Sequence, residues 1–269
     1  MFKRKILSKL EAWKQDERHK PLILRGARQV GKTTVVNEFG SQFDNYLYFN
    51  LEMSESVRLF EMDIPLNDLV NMLFASLGKS QKEGSTLIFI DEIQNSPKTI
   101  ALLRYFYEQR PDLYVIAAGS LLENLVDVNV SFPVGRVMYL ALRPCSFYEF
   151  LGAIGKNNLL TILSQKAEYS IAFHKQLMHQ FNQYTIIGGM PEAVQHYAET
   201  QDIIAIEDVY ETLVQAYKDD SEKYARSNKL TDVVRFILSY GWAFSGETIT
   251  LSNFANSGYK SREVGEAFR

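Results

Sequence analysis

The chain has 269 residues, 46% of them hydrophobic and 23% charged, so its length and apolar content suffice for one large or two modest globular domains. A net charge of -3 gives no global drive toward nucleic acid, and no apolar stretch approaches the length needed to span a membrane. One cysteine, Cys145, excludes an intramolecular disulfide and reads as a core thiol of a reducing cytosol, so a cytoplasmic protein without a secretory signal is expected. The first element in chain order is a helix with Ile6, Leu7, Leu10 and Trp13 on one face. Lys3, Arg4, Lys5, Lys9 and Lys14 crowd the same stretch. A solvated basic face explains them; a nucleotide or polyanion contact is the sharper alternative.

Residues 21–24, Pro-Leu-Ile-Leu, read as a short buried strand. Gly26-Ala27-Arg28-Gln29-Val30-Gly31-Lys32-Thr33 follows and fits the phosphate-binding pattern G-x-x-x-x-G-K-[ST]. Thr33, Thr34, Val35, Val36 and Phe39 then continue at helical spacing to Gly40, which reads as a C-cap. Strand, glycine loop and helix form the context in which the pattern has chemical meaning. Loop amides and the helix N-terminus would face phosphate oxygens. Lys32 would reach the β- and γ-phosphates, and the Thr33 hydroxyl would ligate Mg²⁺.

Residues 46–51 read as a second strand, followed by helices near 54–61 and 66–77. Residues 86–90 are a third, largely apolar strand that ends in Asp91-Glu92. That is the Walker B arrangement: Asp91 would hold Mg²⁺ beside Thr33, and Glu92 would orient and polarise the water attacking the γ-phosphate. The plainer alternative is that both carboxylates cap the next helix. Pro97 opens that helix, which runs to about Arg110; residues 113–118 and 137–142 supply a fourth and a fifth strand. This alternation predicts an α/β fold with a parallel five-stranded sheet, helices on both faces, and a ligand at the C-terminal edge of the strands.

Beyond about Phe147 strand patterns nearly vanish. Helices are expected near 146–154, 157–166, 170–183, 191–199 and 202–220, forming an all-helical lid, then at 228–244, 250–256 and from Ser261 onward. The domains expected are 1–150, a P-loop ATPase; 151–226, the lid; and 227–269, an incomplete winged-helix-like segment. The last run has no helix stop, so Val264 and Phe268 are expected to be exposed or covered by another chain. The four histidines, His19, His174, His179 and His196, show no metal-ligand spacing.

Seven phrases in order carry a resemblance: LRGARQVGKTT (24–34), LIFIDEIQNSP (87–97), LRYFYE (103–108), YVIAAGSLLE (114–123), SFPVGRV (131–137), RPCSFYEF (143–150) and GGMPEAV (188–194). Together they are similar to AAA+-type P-loop ATPases of a bacterial and archaeal group usually fused to a C-terminal restriction-nuclease-like domain of unknown function. Members are typically longer, and the nuclease-like domain is not expected within these residues. The resemblance implies an ATP/ADP and Mg²⁺ cofactor set. It implies a sensor role for Ser120, although most AAA+ proteins carry Asn or Thr there; a serine N-capping a helix over 121–127 is the simpler alternative. It implies that Gly189 and Pro191 pack against nucleotide, the alternative being a plain turn with Pro at the first helical position. Arg136 becomes the candidate arginine for the γ-phosphate, with Arg104 second; for either, a solvated or salt-bridged arginine is the alternative.

The function expected is a Mg²⁺-dependent ATP hydrolase coupling nucleotide state to movement of the lid or a partner. A slow-hydrolysing nucleotide switch and a DNA-associated ATPase with a winged helix are the alternatives. A homo-oligomer or protein partner fits either ATPase reading. For DNA the sequence offers only Lys260, Arg262 and Arg269, beside Glu263 and Glu266.

Overall fold

The computed structural model describes residues 2–120, 133, 135–165, 171–224, 228–244, 246–251 and 258–267. The chain divides into two compact units, Met1–Glu199 and Thr200–Arg269.

The first unit is built on strands β1 (Leu22–Arg25), β2 (Asn45–Asn50), β3 (Thr86–Asp91), β4 (Leu113–Gly119) and β5 (Met138–Ala141). They form one sheet in the order β2-β3-β4-β1-β5, and every pairing is parallel. The chain leaves β1 for the far edge at β2 and returns through β3 and β4 to lie beside β1 again. This crossing puts a crevice at the C-terminal ends of β1 and β4, where open α/β sheets bind ligands.

Strand side chains alternate between two cores. Ile23, Leu47, Phe49, Ile88, Ile90, Val115 and Ala117 face one side, under helices α3 (Ser54–Phe60), α4 (Leu66–Ser76) and α5 (Pro97–Gln109). Leu22, Leu24, Leu87, Phe89, Ile116 and Ala118 face the other, under α1 (Ile6–Gln15) and α2 (Lys32–Gly40). Helices therefore cover both faces, as the alternation predicts. The apolar stripe of α1 is buried as expected, through Ile6, Leu7, Leu10 and Trp13. Gly40 differs from expectation. It is the last residue of α2 and has no positive φ, so it is not a left-handed cap. A Cβ there would lie 2.7 Å from the Tyr46 ring, so packing against β2 is what requires glycine.

Four helices follow the sheet within the same unit: α6 (Phe147–Ala153), α7 (Asn157–Gln165), α8 (Ile171–Ile187) and α9 (Pro191–Thr200, whose last residue crosses the unit boundary). Ser146 and Glu149 close a capping box at the start of α6. Leu151, Leu159 and Leu177 pack together beneath it.

The described residues of the second unit are mostly helical. They form α10 (Glu207–Tyr224), α11 (Asn228–Tyr240) and α12 (Ser261–Ala267), with a short 3-10 turn over Gly241–Phe244. Val264 is fully buried against Val233, Phe236 and Ile237 of α11, together with Tyr259. This corrects the expectation of an exposed Val264: the apolar face of α11 supplies the partner that the local sequence did not reveal. Phe268, Arg269, most of the expected helix at 250–256, and the segment 121–127 lie outside the described residues.

Candidate functional site

β1 ends at Arg25, whose carbonyl accepts from Leu142 N at 2.7 Å. The chain then turns at Gly26 under the Leu142 carbonyl, where a Cβ would come within 2.3 Å of that oxygen. The loop continues with Gln29 and Gly31 in left-handed backbone, φ +60° and +87°. Glycine takes this conformation at little cost, whereas Gln29 is held in it against its preference. Val30 is buried, anchoring the loop, while Ala27 and Gln29 are exposed and Arg28 is partly so. Lys32 opens α2, followed by Thr33 and Thr34, so the helix N-terminus carries its partial positive charge to the loop.

Lys32 is 6% exposed, and its Nζ donates to the Gly26 carbonyl at 2.8 Å and the Ala27 carbonyl at 2.9 Å. The ammonium lies across the loop. Burial pulls its pKa below the ordinary lysine value, against the opposing pull of Glu92 and Asp91. The Thr33 Oγ1 donates to Asp91 Oδ2 at 2.6 Å. Residues far apart in sequence thus meet because β1 and β3 end at the same sheet edge. Asp91 is buried, and its Oδ1 accepts from the Glu92 amide at 3.0 Å.

Glu92 sits in left-handed backbone, φ +52°, and makes no side-chain cap. The cap of α5 is Ser96, which accepts from Thr99 N at 3.3 Å. The alternative in which Asp91 and Glu92 serve the following helix therefore fails on geometry. Instead Gln94 Nε2 donates to Glu92 Oε2. Burial raises the Glu92 pKa above the ordinary carboxylate value.

The register of β1 with β4 pairs Arg25 with Gly119, so Ser120 stands level with Gly26. Its Oγ is buried and has no hydrogen-bond partner among the described residues. The Gly189 carbonyl accepts from Cys145 N at 2.6 Å, and a Cβ on Gly189 would lie 2.5 Å from the Cys145 oxygen. Pro191 Cγ comes within 3.9 Å of the position a Gly31 Cβ would take. Pro191 thus opens α9 as the first helical residue and also sits beside the Gly31 turn of the phosphate-type loop. Burial pushes the Cys145 thiol up to about 11, as fits a core residue.

Arg136 is placed elsewhere. Leu22 pairs with Met138, so Arg136 lies before the N-terminal end of β5, level with Lys20. The loop at Gly26 is at the other end of the sheet, roughly 15–20 Å away at about 3.3 Å per residue. Arg136 Nε donates to Glu108 Oε1 at 2.9 Å, and Arg104 Nε reaches the same oxygen at 2.9 Å. The two arginines hold the Glu108 carboxyl below its ordinary range. Neither is brought to the loop of its own chain.

Two residues join the site without any sequence motif. The Tyr48 phenol feels the charge of the Asp91 carboxylate, and burial together with that charge raises its pKa. Arg4 Nη1 donates to the Val30 carbonyl within the loop at 2.9 Å. The alternation of β2 puts Tyr48 on the α2 face, but its meeting with Asp91 depends on the β2–β3 register. Nothing local singles Arg4 out from the basic run around it. Among the described residues no cluster of three or more His, Cys, Asp or Glu could hold a metal ion.

Residues 18–151 match a family model described as an AAA domain. The α/β portion of this chain is an AAA+-type P-loop domain. Residues 178–269 match a model described as a domain of unknown function (DUF8612). Comparison with curated proteins gives no match. A solved structure of Drosophila ORC bound to DNA aligns with 97% of this chain at 15% identity and a TM-score of 0.37; the chain spans 65% of that chain's length. No described helix is long and apolar enough to cross a membrane.

Proposed function

We propose that this AAA+ chain binds ATP at the Gly26–Thr33 loop and hydrolyses it in a Mg²⁺-dependent reaction, with Glu92 as general base. The observation that carries the reading is the convergence of Thr33 Oγ1 on Asp91 Oδ2 at 2.6 Å, beside a buried Lys32 and a desolvated Glu92. In this reading Gly26, Ala27, Arg28, Gln29, Val30, Gly31 and Thr34 cradle the phosphates, and Lys32 leaves the Gly26 and Ala27 carbonyls for the β- and γ-oxygens. Two oxygens already in contact, one from a hydroxyl and one from a carboxylate, suit a hard dication, so Thr33 and Asp91 would hold Mg²⁺. Bound there it neutralises charge on the phosphate oxygens. Glu92, protonated more readily than an ordinary carboxyl, accepts the proton of the attacking water. Ser120 offers a buried hydroxyl at the same edge with no partner among the described residues, and Gly189 and Pro191 bring the start of α9 to the loop.

Arg136 can contribute only to a neighbouring copy, which makes a homo-oligomer part of the proposal. The lid is taken as the helices of 151–226, moved by nucleotide state, and 227–269 as a winged-helix-like segment. A second reading is a slow switch, favoured by the Gln94 amide that holds the Glu92 carboxylate. Steady-state phosphate release separates the two. Glu92→Gln should retain ATP binding and lose turnover; turnover within about threefold of wild type would remove Glu92 from catalysis. Adding duplex DNA to the same assay tests the DNA-associated alternative.

A further inference from the structure

Arg4 precedes α1 in a run of basic residues that reads as a solvated face. Lys3, Lys5 and Lys9 are exposed, but Arg4 is only 6% exposed. All three of its guanidinium nitrogens bond protein oxygens. Nη1 donates to the Val30 carbonyl at 2.9 Å, Nη2 to the Arg143 carbonyl at 2.7 Å, and Nε to Glu149 Oε1 at 3.0 Å. Glu149 is itself committed. Its Oε1 accepts from Lys5 N at 2.9 Å, and its Oε2 from Ser146 N and Oγ at 2.9 and 3.0 Å. One side chain therefore joins the phosphate-type loop, the segment after β5 and the first turn of α6.

The contact with Val30 has a directional consequence. A peptide unit is planar and trans, so the carbonyl of Val30 and the amide of Gly31 point in opposite directions. Holding the carbonyl toward Arg4 turns the Gly31 amide away from it. Gly31 has φ +87°, a conformation in which the flanking peptides have unusual freedom to rotate. An external clamp matters most at such a residue. Pro191 stands on the same side: Arg4 Nη1 and Pro191 Cγ lie 3.7 and 3.9 Å from the site of a Gly31 Cβ. The Cys145–Gly189 bond ties Pro191 back to the segment that Arg4 and Glu149 fix.

We propose that Arg4 is a positioning residue for the phosphates: by holding the Val30 carbonyl it sets the direction of the Gly31 amide, and through Glu149 it links that amide to the first lid helix. The inference rests on the reading of Gly26–Thr33 as a nucleotide site. Arg4 itself makes no contact with nucleotide. Lysine cannot replace it, because an ammonium cannot span two carbonyls and a carboxylate as a planar fork does.

The test is ATP affinity by titration calorimetry with Mg²⁺, alongside steady-state phosphate release, on the full chain and on Arg4→Gln, Arg4→Lys and Glu149→Gln. Arg4→Gln should raise Kd and KM about tenfold while kcat stays within about threefold, since Lys32 and Glu92 are untouched. Arg4→Lys should not restore affinity, and Glu149→Gln should show part of the loss. If Arg4→Gln does not fold, the other two variants carry the test, and the Kd comparison holds even where hydrolysis is slow. Variants that melt earlier yet bind ATP with wild-type affinity would make Arg4 a structural staple and overturn the inference. So would a kcat that falls as much as the affinity does. Absence of ATP binding in the wild type would instead overturn the nucleotide reading, and this inference with it.

Discussion

Gly26 and Gly31 belong to one motif, yet the structure requires glycine at each for a different reason, and alanine substitutions should separate the two. Gly26 has ordinary backbone geometry, but a Cβ would sit 2.3 Å from the Leu142 carbonyl oxygen and 3.1 Å from Val30 Cγ2. The obstacle is backbone, held by the Leu142 N to Arg25 O bond at 2.7 Å, so it cannot rotate away like a side chain. Relief means displacing the end of β5, at an overpacking cost of about 1–3 kcal/mol. Losing that hydrogen bond adds about 0.5–1.5 kcal/mol. Gly31→Ala meets nothing closer than 3.7 Å, and its cost is that of a left-handed alanine, about 1–2 kcal/mol. Thermal denaturation followed by circular dichroism should therefore rank the variants wild type, Gly31→Ala, Gly26→Ala, with the second drop roughly as large as the first. A Gly31→Ala protein less stable than Gly26→Ala would refute the reasoning about Leu142.

Lys32→Ala removes the cation beside the loop and should weaken ATP binding by about 1.5–3 kcal/mol or more, read by calorimetry. The pH dependence of turnover follows from the raised Glu92 pKa. The base form is needed, so activity should fall as pH drops through a value above 4.5, where an ordinary glutamate would still be ionised. By linkage, ionising this desolvated carboxyl costs the folded state, so Glu92→Gln should melt above wild type at neutral pH, with the gap closing below pH 4.5. Arg136→Ala should leave ATP affinity unchanged, because Arg136 lies at the far edge of the sheet bound to Glu108. If it acts on a neighbouring copy, wild-type turnover per chain should rise with protein concentration by up to about 10³-fold, and the variant should lose that rise. Concentration-independent turnover would remove the role between subunits.

The sequence made the strand–loop–helix of Leu22–Gly40 legible because apolar period, glycine spacing and Lys-Thr chemistry all fall within one short window. The β3 terminus at Asp91-Glu92 was legible for the same reason. Contacts that depend on register were not. Ser120 follows an apolar strand in the sequence, but only the pairing of Arg25 with Gly119 puts it level with Gly26. Arg136 lies in a motif that resembles an AAA+ segment, yet the pairing of Leu22 with Met138 sends it to the opposite edge. Arg4 was hidden for a different reason: a buried arginine in a basic run looks like its exposed neighbours until Glu149 and the Val30 carbonyl are seen around it. Val264 gave the converse case, an apolar residue on a short run whose cover comes from α11.

The central claim is that Thr33 and Asp91 complete a Mg²⁺-dependent ATP site, and it is tested most directly by ATP affinity measured with and without Mg²⁺ in wild type and Thr33→Val. Wild type should bind ATP more tightly with Mg²⁺, and Thr33→Val should lose that increment while keeping the metal-free affinity, because only the hydroxyl that meets Asp91 Oδ2 is removed. A wild-type chain that binds no ATP, or a Mg²⁺ increment that survives in Thr33→Val, would contradict it.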